Sequence, residues 1–420
     1  MAMSLRVLQC LRSKLHPKLC PVLFSNSFAT QATANGVPVE VHNEGGSKRV
    51  IVTKELPGDR WLQILVQSGC RVEVSKHPDI ILSNATIKQF IGSKCDGVIG
   101  QLTEDWGSEL FEALKAAGGK AYSNYAVGYN NVKVDEATKR GIPVGNTPGV
   151  LTETTAELAA ALTLAAARRV PEADVFMRAG KYQGWLPTLF IGNLLQNKTV
   201  GIIGAGRIGA AYARMMVEGH KMNLVYFDPY PNTKLEAYIR MYGELLRHHG
   251  EPPVAVRRVD TVEEVLQEAD VVSLHCNLDA TTTHLMNEAR LKMMKPNAVL
   301  INAARGLVIE EAALVAHLKA NPEFRCGLDV FEHEPAMAPG LAECPNAVIV
   351  PHIASASFWT RSGMATLAAA NVAATLSGHP VWSKPDNIAP FIERPLTSLP
   401  AAAPSIVNAK QLGLTIADDE

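Results

Sequence analysis

Arg305, Glu334 and His352 are three residues whose types and placement could together do chemistry. Arg305 follows Ile301-Asn-Ala-Ala304, Glu334 sits in His333-Glu-Pro335, and His352 follows Val348-Ile-Val-Pro351. Arginine offers a planar fork that takes a carboxylate through two parallel hydrogen bonds, which lysine cannot do. An imidazole exchanges a proton near neutral pH, and a carboxylate beside it favours its protonated form. An anion anchor, a proton donor and a partner for that donor are what reduction of a carbonyl next to a carboxylate requires. Each residue alone has a bland reading: a turn leading into a helix, a solvated loop, a strand-end histidine bonded to backbone. What joins them is their place after short apolar runs, since an α/β sheet binds ligands at the carboxyl ends of its strands. His333 rivals His352 for the proton role, but its place between Glu332 and Glu334 suggests exposure. His275, after Leu274, is a further strand-end candidate. No spacing of these groups supports metal ligation, so no metal is expected.

A reducing cofactor is implied upstream. Gly204-Ala-Gly-Arg-Ile-Gly209 directly follows the apolar run Thr199-Val-Gly-Ile-Ile203, and a second apolar run, Asn223-Leu-Val-Tyr-Phe227, ends at Asp228. Glycines at 204, 206 and 209 suit a tight turn, a close approach to a pyrophosphate and close helix packing, with Arg207 and Ile208 opening the helix. The N-terminus of that helix favours an anion. Asp228 is placed to accept from the ribose hydroxyls of NAD and to repel the 2′-phosphate of NADP, so NADH/NAD is expected, with NADPH at lower efficiency. Asp228 could equally cap the turn Asp228-Pro229, and both roles are compatible.

These residues need a scaffold to position them. A chain of 420 residues holds two or three domains, and 40 basic against 41 acidic side chains give no reason to expect nucleic acid. No stretch approaches the roughly 20 apolar residues of a membrane span. Seven cysteines without a C-x-x-C pair are expected to be reduced and structural. From Lys48 onward short apolar runs alternate with helical patterns, which implies parallel sheets covered by helices. The expected fold is α/β: two Rossmann-like or flavodoxin-like domains with doubly wound parallel sheets and an interdomain cleft. Residues 47–165 would begin the substrate-binding domain, with Thr154-x-x-Glu157 as a capping box opening a long Ala-rich helix. Residues 166–352 would form the NAD-binding domain, interrupted by an insertion around Glu251-Pro252-Pro253. Residues 353–395 would return to the first domain as a helix from about Phe358 to Leu376, and 396–420 would be a tail. Residues 1–46 read as an organellar transit peptide and disordered lead, because Arg6, Arg12, Lys14 and Lys18 precede any acid and leucines recur at helical spacing. That predicts a mitochondrial address, with the chloroplast as alternative. The ending Ala417-Asp-Asp-Glu420 gives no peroxisomal Ser-Lys-Leu signal.

Gly204-x-Gly-Arg-Ile-Gly209, Asn302-Ala-Ala-Arg-Gly306, Gly327-Leu-Asp-Val-Phe-Glu-His-Glu-Pro335 and Pro351-His352 resemble, in order, the motifs of D-2-hydroxyacid dehydrogenases. The likeness spans Lys48 to about Arg394. Ser123-Asn-Tyr-Ala-Val-Gly-Tyr-Asn-Asn131, Gly145 through Glu157 and Gly180-Lys-Tyr-Gln-Gly-Trp185 are similar to plant and algal hydroxypyruvate reductases of photorespiration. The resemblance implies NADH-dependent reduction of hydroxypyruvate to D-glycerate, with glyoxylate to glycolate as a slower side activity. It implies Arg305 as substrate anchor, His352 as acid/base, Glu334 as its partner and Asp329 at the nicotinamide end of the cofactor. It also implies Val127 and Gly128 as backbone donors to the substrate carboxylate, and a homodimer in which Trp185 reaches the neighbour's site. Two alternatives stay open: another D-2-hydroxyacid dehydrogenase, or an NAD(H)-sensing regulatory protein of the same fold. Formate dehydrogenase is disfavoured because it carries Gln where this chain has Glu334.

Overall fold

A computed structural model describes residues 30–76, 80–393 and 399–417. The first sheet comprises β1 (Thr30–Ala34), β2 (Val37–His42), β3 (Lys48–Val52), β4 (Cys70–Ser75), β5 (Gly97–Gly100), β6 (Ala121–Asn124) and β7 (Val144–Gly145). Their order is β1-β2-β4-β3-β5-β6-β7. From β4 to β7 neighbours are parallel, whereas β1 pairs with β2, and β2 with β4, antiparallel. The expected parallel sheet therefore carries an antiparallel hairpin at one edge, and that hairpin lies inside the expected disordered lead. Val37, Val39 and Val41 are buried while Pro38 is exposed, so a period-two pattern seats the strand. The remainder of the expected transit peptide, residues 1–29, lies outside the described residues.

The second sheet comprises β8 (Thr199–Ile203), β9 (Asn223–Phe227), β10 (Val256–Arg258), β11 (Val271–Leu274), β12 (Val299–Asn302), β13 (Arg325–Leu328) and β14 (Ala347–Ile349). It is parallel throughout, in the order β10-β9-β8-β11-β12-β13-β14. Strand order reverses between β8 and β11, which opens the crevice where such sheets bind ligands. Register aligns the strand ends: Ile203 pairs with Phe227 and Leu274, Leu274 with Asn302, and Asn302 with Leu328. Gly204, Asp228, His275 and Asp329 consequently follow their strands in one row. Alternate residues feed the two faces: Val299 and Ile301 join the core on one side, and Leu300 the core on the other. The supposed insertion around Glu251-Pro252-Pro253 is the short link between a helix, Thr233–His248, and β10, with Asn232 Oδ1 capping the Leu235 N–H at 3.0 Å.

Two Ala-rich helices cross between the layers. Thr152–Ala167 buries Ala156, Ala159, Leu162 and Ala166 in the core of the second sheet, so the expected boundary at 165 cuts a helix that packs with the cofactor domain. Its first turn has no side-chain cap. Thr154 is already helical and its hydroxyl meets Thr360 Oγ1 at 2.5 Å, which replaces the expected capping box. Phe358–Leu376 spans the predicted residues, starts at a Ser357 cap and buries Met364 through Ala373 against the first sheet. Residues 399–417 of the expected tail are structured too. Ile406 bridges Gly145, and Asn408, fully buried, accepts from the Val144 N–H at 2.9 Å and donates to Ile142 O at 3.0 Å. Among the described residues, no helix is long and apolar enough to cross a membrane.

Candidate active site

Arg305 leaves the end of β12 through a turn fixed by Asn302. The Asn302 amide donates to Arg305 O at 2.9 Å and accepts from the Ala304 N–H at 3.0 Å. The guanidinium donates to Ala304 O at 2.6 Å and, across the cleft, to Asn130 Oδ1 at 3.3 Å. It lies against Gly128, where a Cβ would strike the guanidinium and displace it from this position. Burial lowers the proton affinity of Arg305, and the charge of Glu334 opposes that. The sequence places Val127, Gly128 and Arg305 in separate segments; the fold brings them together. The Val127 carbonyl accepts from Asn146 Nδ2 at 2.9 Å, and no hydrogen bond among the described residues occupies the N–H of Val127 or Gly128. Asn130 and Asn146 were not singled out from the sequence, although both stand in motifs quoted for the resemblance.

His352 Nδ1 and Glu334 Oε2 are 2.9 Å apart, both side chains about one-third exposed. Burial pushes the Glu334 carboxyl upward, but the His352 bond and charge, the Phe331 N–H and Arg305 outweigh it and hold the carboxyl below its ordinary range. The Nδ1 side of His352 is thus committed to Glu334, which leaves Nε2 for a substrate. His352 adopts a left-handed backbone conformation, φ 51°, that a side-chain-bearing residue enters only when its surroundings enforce it. Asp329 supplies that enforcement. Fully buried, it accepts the Ile353 N–H at 2.6 Å and the Ala354 N–H at 2.9 Å, while its carbonyl accepts the His352 N–H at 2.9 Å. Asp329 is therefore placed as the clamp of the His352 turn.

The rival histidines separate cleanly. The His333 side chain is 77% exposed, and its nearest acidic neighbour, Glu332, stands 3.9 Å away. His275 is held neutral, burial pushing it down to about 3, and its ring bonds Ser273 Oγ at 2.9 Å beneath Tyr212. Neither is placed to protonate a substrate held by Arg305. Trp185 is 80% exposed.

At the fingerprint, the two later glycines have different jobs. A Cβ on Gly209 would collide with the Gly204 carbonyl, which makes Gly209 a packing residue. A Cβ on Gly206 would meet nothing within 4 Å, so Gly206 keeps open the space at the start of helix Arg207–His220. That space, with the free N–H groups of the helix start, fits a pyrophosphate. Asp228 Oδ2 accepts the Ala205 N–H and Oδ1 the Tyr230 N–H, each at 2.9 Å. It thus braces both turns while keeping further acceptor capacity for ribose hydroxyls. Arg207 forms an ion pair with Asp386, which ties the fingerprint helix to the segment following the second crossover helix.

Comparison with known proteins agrees with this geometry. The profile of the D-isomer specific 2-hydroxyacid dehydrogenase NAD binding domain matches residues 160–354. The chain is 63% identical to the glycerate dehydrogenase of Cucumis sativus over 90% of its length and 99% of that protein's. It is 62% identical to the peroxisomal glycerate dehydrogenase HPR of Arabidopsis thaliana, over 91% of this chain and 99% of the relative. Among solved structures, the TT0316 protein of Thermus thermophilus aligns with a TM-score of 0.69 at 38% identity, covering 79% of this chain and 97% of that one. The peroxisomal designation of the Arabidopsis relative overturns the mitochondrial address expected from the basic lead. The chain belongs to the D-isomer-specific 2-hydroxyacid dehydrogenases, enzymes that use NAD(H) on small 2-hydroxyacids.

Proposed function

We propose that this enzyme reduces hydroxypyruvate to D-glycerate with NADH, reduces glyoxylate to glycolate more slowly, and serves photorespiratory glycolate metabolism. The observation that carries the chemistry is the convergence of Arg305, Gly128 and the His352–Glu334 pair at one end of the second sheet. The substrate carboxylate lies on the N–H groups of Val127 and Gly128 and on the Arg305 fork. The C2 oxygen faces Arg305 and His352 Nε2. When bound, the nicotinamide supplies the hydride to C2. His352 delivers its Nε2 proton to the C2 oxygen as charge develops there, Arg305 stabilises that charge, and Glu334 remains ionised and holds the ring through Nδ1. The names of the cucumber and Arabidopsis relatives support glycerate as the 2-hydroxyacid, and hydroxypyruvate is its 2-oxo form. Asp228 supports NADH over NADPH, because its carboxylate would repel a 2′-phosphate. The working form is a homodimer in which the exposed Trp185 segment reaches the neighbouring site.

The test is NADH oxidation by the full chain with hydroxypyruvate, glyoxylate, pyruvate and 2-oxoglutarate at matched concentrations, repeated with NADPH. The highest kcat/KM is expected for hydroxypyruvate with NADH. Tight NADH binding without turnover of any 2-oxoacid would replace this reading with a regulatory, NAD(H)-sensing one.

A further inference from the structure

Glu334 projects from an irregular segment after β13, yet its carboxylate has to meet one edge of an imidazole. The residue that holds this segment is Glu311, the first residue of helix Glu311–Ala320 and only 3% exposed. Its Oε1 accepts the Glu332 N–H at 2.5 Å and its Oε2 accepts the Ala338 N–H at 2.8 Å, so one carboxylate grips the chain on both sides of Glu334. Glu332 returns the contact: its Oε2 accepts the Glu311 N–H at 3.0 Å, and its Oε1 bonds His284 Nε2 at 2.6 Å. Among the described residues no cation pairs with Glu311, so burial of this charge is offset by backbone donors alone.

We propose that Glu311 is a positioning residue for catalysis: it fixes the 332–338 segment so that Glu334 stays aimed at His352 Nδ1. This rests on the acid/base reading of His352 and Glu334 given above. Helix Glu311–Ala320 packs through Leu314, Val315 and Leu318 into the core of the second sheet, so Glu311 refers the loop to a rigid element. A glutamine at 311 keeps one acceptor oxygen but turns an amide N–H toward the other backbone donor, which releases one side of the grip. Misplacing a catalytic group by about 1 Å costs up to ~10²-fold in rate, so a one-sided release is expected to cost on the order of tenfold.

The experiment is a double-mutant cycle on kcat with Glu311→Gln, Glu334→Gln and the pair, with NADH binding and thermal melting as folding controls. Glu311→Gln is expected to lower kcat about tenfold with KM and NADH affinity nearly unchanged, and to add less than about twofold on the Glu334→Gln background, because coupled residues are non-additive. A Glu311→Gln effect that multiplies in full on that background, or an unchanged kcat, overturns the positioning role. An unchanged kcat for Glu334→Gln alone instead overturns the acid/base reading. Should Glu311→Gln fail to bind NADH, Glu311→Asp, which keeps the charge but cannot span both donors, goes through the same cycle and is judged by the same two results.

Discussion

Arg305 reaches out of the second sheet to touch Asn130 and Gly128 of the first domain, so the side chain proposed to anchor the anion also spans the cleft. Replacing it with lysine keeps the charge and loses the fork. Arg305→Lys is expected to raise KM for the 2-oxoacid and lower kcat together, each by about tenfold, about 2.7 kcal/mol in kcat/KM and within the roughly 1.5–3 kcal/mol of a lost charge-assisted hydrogen bond. Steady-state kinetics decide it, and an unchanged KM would remove Arg305 from substrate binding. His352→Ala should act differently, lowering kcat by about 10²–10⁴-fold, the usual worth of a general acid, while NADH affinity holds. Wild-type turnover by that variant would end the proton-donor assignment. Arg305, Glu334 and His352 were legible because each is a titratable or charged group shortly downstream of an apolar run. Asp329 was legible as a residue but its grip on the His352 turn was not, and Glu311 was not legible at all, since their partners are backbone N–H groups 21 to 27 residues away, which side-chain patterns do not encode.

Elements explain why strand ends could be trusted. A parallel strand covered on both faces is a short apolar run, and Val271–Leu274 and Val299–Asn302 are buried at every position. Their register then fixes where the next residue projects. Weaker signals went unread: Leu235, Ile239 and Leu246 are the buried stripe of a helix, but the prolines at 252 and 253 suggested an insertion. Val37, Val39 and Val41 likewise alternate inside a segment whose basic start suggested only targeting. The fingerprint element yields a sharp contrast between two glycines. Gly206→Ala is expected to leave the melting temperature within about 2 °C, since the new methyl meets open space and the backbone φ of −70° suits any residue, yet to weaken NADH binding at least tenfold by filling the cradle. Gly209→Ala should instead destabilise the fold by about 1–3 kcal/mol, the range for overpacking a close contact. Thermal melts and NADH fluorescence titrations distinguish them, and equal behaviour of the two variants would refute the division of roles.

At the scale of the molecule, both described ends of the chain close on the first sheet. The hairpin of β1 and β2 extends one edge, and residues 403–409 cover the other, beside β7. The C-terminal segment is wired to the loop proposed to receive the substrate. Ser405 donates its N–H to Asn371 Oδ1 at 2.9 Å and its hydroxyl to Asn146 Oδ1 at 2.6 Å, and Asn146 Nδ2 donates to Val127 O at 2.9 Å. The same Asn371, on the second crossover helix, donates to Asn146 O at 2.9 Å. Bonds between Asn146 and both Asn371 and Ser405 join residues more than 200 positions apart, so a tail is all that local sequence suggests for this segment. Removing residues 399–420 leaves the Val144 N–H and the Ile142 carbonyl without Asn408, at about 1–3 kcal/mol for each buried group left unpaired, and frees Asn146 from Ser405. The second sheet and its fingerprint keep all their contacts to the first crossover helix. The truncated enzyme is therefore expected to melt several degrees lower and to show a KM for hydroxypyruvate raised about fivefold, the equivalent of roughly 1 kcal/mol lost at the loop, with NADH affinity within about twofold of the full chain. Equal loss of NADH and 2-oxoacid binding would mean that the segment supports the fold as a whole rather than the loop proposed to receive the substrate.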